Sequence, residues 1–426
     1  MAPPQSPSIA QELPYDVLLE IFRWVAYLSS ERIAEELMEW PHTAADPTFR
    51  SLSLVCRHWR DAGQSFVFRS ACFTTAPQCR LFLRTARDRP DLADQVRAAS
   101  VGRLDPYPVP DEGSKEDGEW EELSTLMLDC LEACRQVHHV HVAPLHYPTA
   151  FRVFEVIRTQ PLPLQSLILR LFDAHRNIPP QACIDFYLSV FDLFDRLPSF
   201  THFEINFRPP YLPTAEDLAL PVLPVSSVTS FHSTVNSVEA FLQALRMMPL
   251  LKILNVYSEW AFDPQEATAV FGALKHLEEL RVESNVPSTV ATATGRGGNP
   301  AGGDNVWLDP LLPSYPNLRK LSVTEQDALP HQFANPPPSL ELLEFIHFGA
   351  RPDGRFFDFE LLLEESPPSA RFCAVEFVFV ADEEAFNRNV SPEDVRRVCQ
   401  RYADKGVKFR VEHEIMELPE KKIVEI

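Results

Sequence analysis

Long apolar runs are missing from this sequence. None of its 426 residues lies in a stretch approaching the roughly eighteen apolar residues a spanning helix needs, so no membrane partner is expected. The opening Met1-Ala2-Pro3-Pro4-Gln5-Ser6-Pro7 has neither a basic nor an apolar leader region, and no secretory signal is expected. Eight cysteines without a Cys-x-x-Cys fit reduced thiols in a cytoplasmic and/or nuclear protein. Positive charge is also scarce. Lys and Arg number 39 against 60 Asp and Glu, a formal net charge of -21. That disfavours general binding to nucleic acid or acidic membranes, which both require phosphate neutralisation.

Catalytic signatures are lacking too. There is no Gly-x-Ser-x-Gly, no His-Glu-x-x-His and no glycine-rich cofactor turn. Glu364-Glu365 and Glu383-Glu384 are adjacent in sequence, so their spacing does not make them converge as an acid/base pair. The glycine-rich run Gly295-Arg296-Gly297-Gly298 is followed by neither Lys-Ser/Thr nor a helix start, so it reads as a surface loop rather than a phosphate cradle. The expectation is a non-catalytic protein without a cofactor.

What is present begins with two short amphipathic segments. In the first, Pro14 suits a helix start, where its missing N–H costs nothing, and Asp16 suits the positive end of the helix dipole. Val17, Leu18, Ile21, Phe22 and Val25 then recur at three- and four-residue steps. In the second, Leu52, Val55, Cys56 and Trp59 share one face, while Arg57, His58 and Arg60 lie elsewhere. Neither helix can bury its apolar face alone. From pattern alone, a helical cap on a larger domain is one reading. The residues also resemble an F-box, through Leu13-Pro14, Ile21-Phe22 and the Val55-Cys56-x-x-Trp59 helix. The resemblance implies a three-helix unit that grips a Skp-type adaptor and through it a cullin ubiquitin ligase. It assigns adaptor binding to Leu13, Pro14, Val17, Leu18, Ile21, Phe22, Leu52, Val55, Cys56 and Trp59. The two halves are separated by an insertion at residues 30–49.

At this length the chain is expected to hold more than one compact unit or a repeat array. After residue 130 a weak motif recurs: apolar-x-x-apolar-x-apolar. It appears at Val137/Val140/Val142, Leu164/Leu167/Leu169, Phe200/Phe203/Ile205, Leu251/Leu254/Val256, Leu277/Leu280/Val282, Leu318/Leu321/Val323, Leu340/Leu343/Phe345 and Phe372/Val375/Phe377, with a degraded copy at Val228/Phe231. The last two apolar positions alternate as a strand requires. Helical patterns lie between copies, at residues 151–158, 182–197, 238–248, 264–274 and 392–403. A strand and a helix per repeat stack into a parallel sheet with outer helices, since no single unit can bury its own apolar face. The motif is similar to a divergent leucine-rich repeat, of the kind that follows F-boxes in many fungal proteins. A general α/β domain with a parallel sheet is the other reading.

The expected fold is therefore α/β: a small all-α F-box and an irregular leucine-rich-repeat-like solenoid. Its parts are a disordered start (residues 1–10), the helical domain (11–75), the repeat array (76–415) and a tail (416–426). Two loops interrupt the array, at 105–122 and 285–304. The first carries eight acids and one lysine.

His138, His139, His141 and His146 lie close to Cys130 and Cys134, but without the usual zinc-ligand spacing; surface histidines and two buried thiols are expected. Between the apolar positions, residues must face away from the helices and align into columns. One column runs His141, Ile168, Glu204, His232, Asn255, Arg281, Ser322, Glu344. The next runs Arg170, Asn206, Thr234, Tyr257, Glu283, Thr324, Ile346. From these, Arg170, Glu204, Asn206, Asn255, Tyr257, Arg281 and Glu283 are the candidate target-binding residues, with Tyr257 and Arg281 as anchors. The expected function is substrate recognition in an SCF-type ubiquitin ligase, with a protein target. The alternative is a ligase-independent interaction scaffold.

Overall fold

The computed structural model describes residues 13–21, 59–60, 63, 68–101, 115–142, 147–160, 162–171, 179–207, 211, 213–214, 216–218, 225–235, 237–258, 264–284, 308, 311–324, 337, 339–348, 374–380, 392–404, 408–414 and 421–422. Two compact units divide the chain, residues 1–200 with 204–210, and residues 201–203 with 211–426.

The first unit opens with helical residues 15–21, where Leu18 N–H donates to the Pro14 carbonyl at 3.1 Å. Strands and helices then alternate: β1 (Ser70–Phe73), α1 (Ala76–Asp88), α2 (Pro90–Ala93), β2 (Ala98–Val101), α3 (Lys115–Ala133), β3 (His139–Val142), α4 (Tyr147–Thr159), β4 (Ser166–Leu171), α5 (Pro180–Arg196) and β5 (His202–Phe207), of which the last residues belong here. β1 to β4 pair in parallel with their sequence neighbours, and Phe73, Val101, Val142 and Leu169 form one row across them. Phe73 meets Phe82 of α1 edge-on at 4.8 Å, which marks this as the helix-covered side. α5 opens at Pro179-Pro180, and its buried Cys183, Phe186, Tyr187, Val190, Phe191 and Phe194 recur at the helical period.

The second unit continues the alternation: β6 (Ser230–Val235), α6 (Val238–Arg246), β7 (Ile253–Ser258), α7 (Pro264–Phe271), β8 (Glu279–Ser284), β9 (Lys320–Thr324), β10 (Leu342–Phe348), β11 (Ala374–Val380), α8 (Pro392–Ala403), β12 (Lys408–Glu414) and β13 (Lys421–Lys422). Strands β6 to β12 pair in parallel and in chain order, and β13 closes the edge antiparallel to β12. α6 shows how the sequence fixes an element. Ser237 caps it by accepting from Ala240 N–H at 3.2 Å, Glu239 sits in the first turn and Arg246 in the last, each suiting the helix dipole. Phe231 stacks on Phe203 at 5.5 Å and on Phe241 of α6 at 5.8 Å, so aromatic rings fill the layer between sheet and helix. Just past α7, a Cβ at Gly272 would meet the Thr268 carbonyl oxygen at 2.6 Å, so only glycine fits there.

The α/β expectation therefore holds, as do the strand phases read from the leucine motif. Strands β1, β2, β12 and β13 were not foreseen. The sheet starts at Ser70, inside the segment read as the helical domain. The stretch 105–122 was read as a loop, but from Lys115 onward it is helical as the first turns of α3, where Trp120, Leu123 and Leu126 recur at the helical period; residues 105–114, the loop at 285–304 and the insertion at 30–49 lie outside the described residues.

Tyr315 offers a test of this packing. It is fully buried, and its hydroxyl donates to the Phe271 carbonyl at 3.0 Å. Leu274 N–H donates to the same oxygen at 3.0 Å, so Tyr315→Phe leaves that carbonyl one partner. The expected cost is about 1 kcal/mol rather than the full penalty of a stranded group. Urea denaturation of the variant checks it; a loss of several kcal/mol would contradict the shared acceptor.

Candidate recognition face

Because side chains alternate along a strand, the row next to each buried row points away from the helices. In the first unit that row is Cys72, Ser100, His141 and Ile168, in register across β1 to β4. One step further along β4, Arg170 Nε donates to Oε1 of Glu204 on β5 at 2.7 Å. The two side chains are only 12% and 14% exposed, so this pair is far better shielded than a surface ion pair. Asn206 is half-buried on the same face.

His141 differs from expectation. It is not a surface histidine: it is 9% exposed, with Nδ1 2.9 Å from Ser100 Oγ and Nε2 without a hydrogen-bond partner. Burial, helped by the Arg170 charge, pulls its imidazole down to about 3, so the ring is neutral at physiological pH. His139 is exposed, as read. Cys130 and Cys134 are fully buried, and each donates to a backbone carbonyl, Cys79 O at 3.5 Å and Cys130 O at 3.2 Å. The neighbouring Cys79 thiol, and after it burial, holds the Cys130 thiol well above its ordinary range, and burial does the same for Cys134. Among the described residues no three His, Cys, Asp or Glu converge as a metal site, and all cysteines are free.

In the second unit the columns His232–Asn255–Arg281–Ser322–Glu344 and Thr234–Tyr257–Glu283 are in register as expected. The columns are open over β6 to β8, where these side chains are half-buried. At β9 and β10 they close: Ser322, Glu344 and Ile346 are buried. Ser322 donates to the Glu344 carboxylate, and Lys320 Nζ lies 3.9 Å from the same group. Those positions cannot serve a partner without rearrangement. Arg281 Nε donates to Glu283 on its own strand. One cluster was read only in part: His232 and Asn255 stood in the column, but His202 and Ser230 were not singled out. His202 Nδ1 lies 3.0 Å from Ser230 Oγ, and the His202 and His232 rings meet edge-on at 5.1 Å, with Asn255 Nδ2 3.2 Å from His232 Nε2.

No family model and no curated protein matches this chain. The site therefore rests on its own geometry.

Of the residues assigned to adaptor binding, Leu18 is fully buried and Trp59 nearly so. Leu13 and Ile21 are half-buried, Pro14 is exposed, and Val17 is 42% exposed. Phe22, Leu52, Val55 and Cys56 lie outside the described residues. No helix among the described residues is long and apolar enough to cross a membrane.

Proposed function

We propose that the chain is the substrate-recognition subunit of an SCF-type cullin ubiquitin ligase. Its N-terminal helices form an F-box that docks a Skp-type adaptor, and its leucine-rich-repeat-like strands present a face to a protein target. The observation that carries the reading is the sorting of side chains on β6 to β8. Apolar residues point to the helices, while His232, Asn255, Tyr257, Arg281 and Glu283 lie half-open on the other face. Polar and aromatic groups held in register on rigid strands are what selective protein binding requires. Both charge signs occur in the rows, which suits a mixed protein surface better than a polyanion. The F-box resemblance supplies the docking half. The protein's contribution is proximity: a target held near a conjugating enzyme reacts at high effective concentration.

Affinity purification followed by mass spectrometry tests this. A Skp-type adaptor and a cullin are expected in the eluate together with the target. A target captured without any adaptor favours the scaffold reading. Once the target is known, Tyr257→Ala and Arg281→Ala are each expected to weaken binding at least tenfold, on the scale of interface hot spots at about 2 kcal/mol. If only deletion of residues 295–303 weakens it, the face is not the binding surface.

A further inference from the structure

The second unit's helix-free face carries a hydrogen-bonded chain that links two imidazoles. His202 of β5, Ser230 and His232 of β6 and Asn255 of β7 all belong to this unit, and all are half-buried. Ser230 Oγ lies 3.0 Å from His202 Nδ1 and 3.4 Å from His232 Nε2, so one hydroxyl touches both rings. A hydroxyl has a single proton to give, so one ring nitrogen accepts it while the other donates to the oxygen. Asn255 sets the direction. Its Nδ2 stands 3.2 Å from His232 Nε2, and an amide nitrogen is a donor. With the amide so oriented, His232 Nε2 is the acceptor and His202 Nδ1 carries the proton given to Ser230.

This order makes the two rings unequal toward a further proton. A proton added to His202 at Nε2 leaves every bond of the chain in place. A proton added to His232 at Nε2 sets a new N–H against the Asn255 amide and the Ser230 hydroxyl, and both must turn. The rings also meet edge-on at 5.1 Å, close enough for one positive charge to oppose a second. His202 therefore takes the first proton while His232 stays neutral. Near the imidazoles each acid stands beside a base. Glu204, two residues beyond His202 on β5, is bound by Arg170 of β4. On β8 Arg281 is bound to Glu283, and Glu279 has Lys320 of β9 as its register partner. Tyr257 of β7 is the remaining titratable neighbour, in register with Thr234 and Glu283.

We propose that His202 is a proton switch of the recognition face: with its ring charged the face takes an acidic segment of a bound protein, and with its ring neutral it releases that segment. The switch rests on the recognition-face reading and adds its regulation. An ordinary imidazole changes charge near about pH 6.5, so the switch works in mildly acidic to neutral solution. The chain's overall charge of -21 repels acidic segments in general, which gives one local positive charge its weight.

The test uses the full chain with 13C-labelled histidine, read by NMR from pH 8 to pH 5.5. His202→Asn and His232→Asn assign the two ring signals, and the His202 signal is expected to titrate first. His202→Asn should raise the His232 midpoint by at least about half a pH unit, the effect of two charges about 5 Å apart even in water. Asn255→Ala, which removes the amide donor from His232, should raise it as well. All variants are checked for an unchanged melting curve. Hexaglutamate is the probe for an acidic segment. Its affinity, read on the two ring signals, is expected to be at least about fivefold higher at pH 6 than at pH 8. Read on the His232 signal, that difference should vanish in His202→Asn. His232 titrating first, midpoints that ignore each other's ring, equal hexaglutamate affinity at both pH values, or stronger binding of hexalysine at pH 6 overturns the proposal. The measurement needs neither adaptor nor target, so its failure is separate from failure of the ligase reading.

Discussion

Val17→Asp is expected to abolish capture of a Skp-type adaptor while leaving the chain folded. Val17 is 42% exposed on helical residues 15–21, next to the fully buried Leu18. A carboxylate at position 17 lies in the first helical turn, where the dipole favours negative charge, so the helix itself is not weakened. At an apolar interface the same carboxylate becomes an unpaired buried charge. The expected loss is at least 2 kcal/mol, or about thirtyfold in affinity, and in practice no detectable complex. Leu18→Asp is the contrast: it places the charge in the core and should unfold the N-terminal helices. Phe22→Ala combined with Val55→Ala, in the two sequence segments that resemble an F-box, is expected to abolish capture as well. Titration calorimetry with purified adaptor, alongside circular-dichroism melts, gives the answer. Unchanged adaptor affinity in the folded Val17→Asp protein and in the double variant would remove the F-box assignment.

How much of this could be read from sequence depended on whether a signal was local. The strands β3 to β11 announce themselves because Leu, Val and Phe occupy the same three places in each copy. α8 was found to the residue because Ser391, Pro392 and Glu393 mark its start. β1 and β2 escaped because Ser70-Ala71-Cys72 and Ala98-Ala99-Ser100 contain small residues and no leucine. Their buried sides are filled from elsewhere, by Phe82 of α1 for example. Over β3–β4 and over β6–β10 the columns were correct in register, since parallel pairing fixes register once the apolar phase is known. Their exposure was not legible. Alternation says which face a residue joins, but not what covers that face. Hence His141, Ser322 and Glu344 were read as open and are buried. The Arg170–Glu204 pair joins residues on successive strands that no local pattern connects, although both were already candidates.

The layer that holds this face in place should be the most sensitive part of the first unit, and Phe186→Ala is expected to show it. Phe186 lies in α5 with no exposed surface. Its ring meets Phe154 of α4 at 5.2 Å, Tyr187 at 5.7 Å and Phe151 at 6.0 Å, all near edge-on. Such pairs add to the burial of the ring itself. Truncation removes the ring from the centre of the α4–α5 contact and leaves a cavity that the surrounding aromatic rings cannot fill. The expected cost is about 3–5 kcal/mol, a large share of a typical domain's stability. Leu81→Ala, at a position 55% exposed on α1, should cost under about 0.5 kcal/mol and serves as the reference. Urea denaturation followed by circular dichroism reads the difference, and hydrogen exchange should show faster opening of α4 and α5. Because α5 leads directly into β5, loosening it should also blur the Arg170–Glu204 pair. Equal urea midpoints for Phe186→Ala and Leu81→Ala would show that the layer does not carry the stability assigned to it.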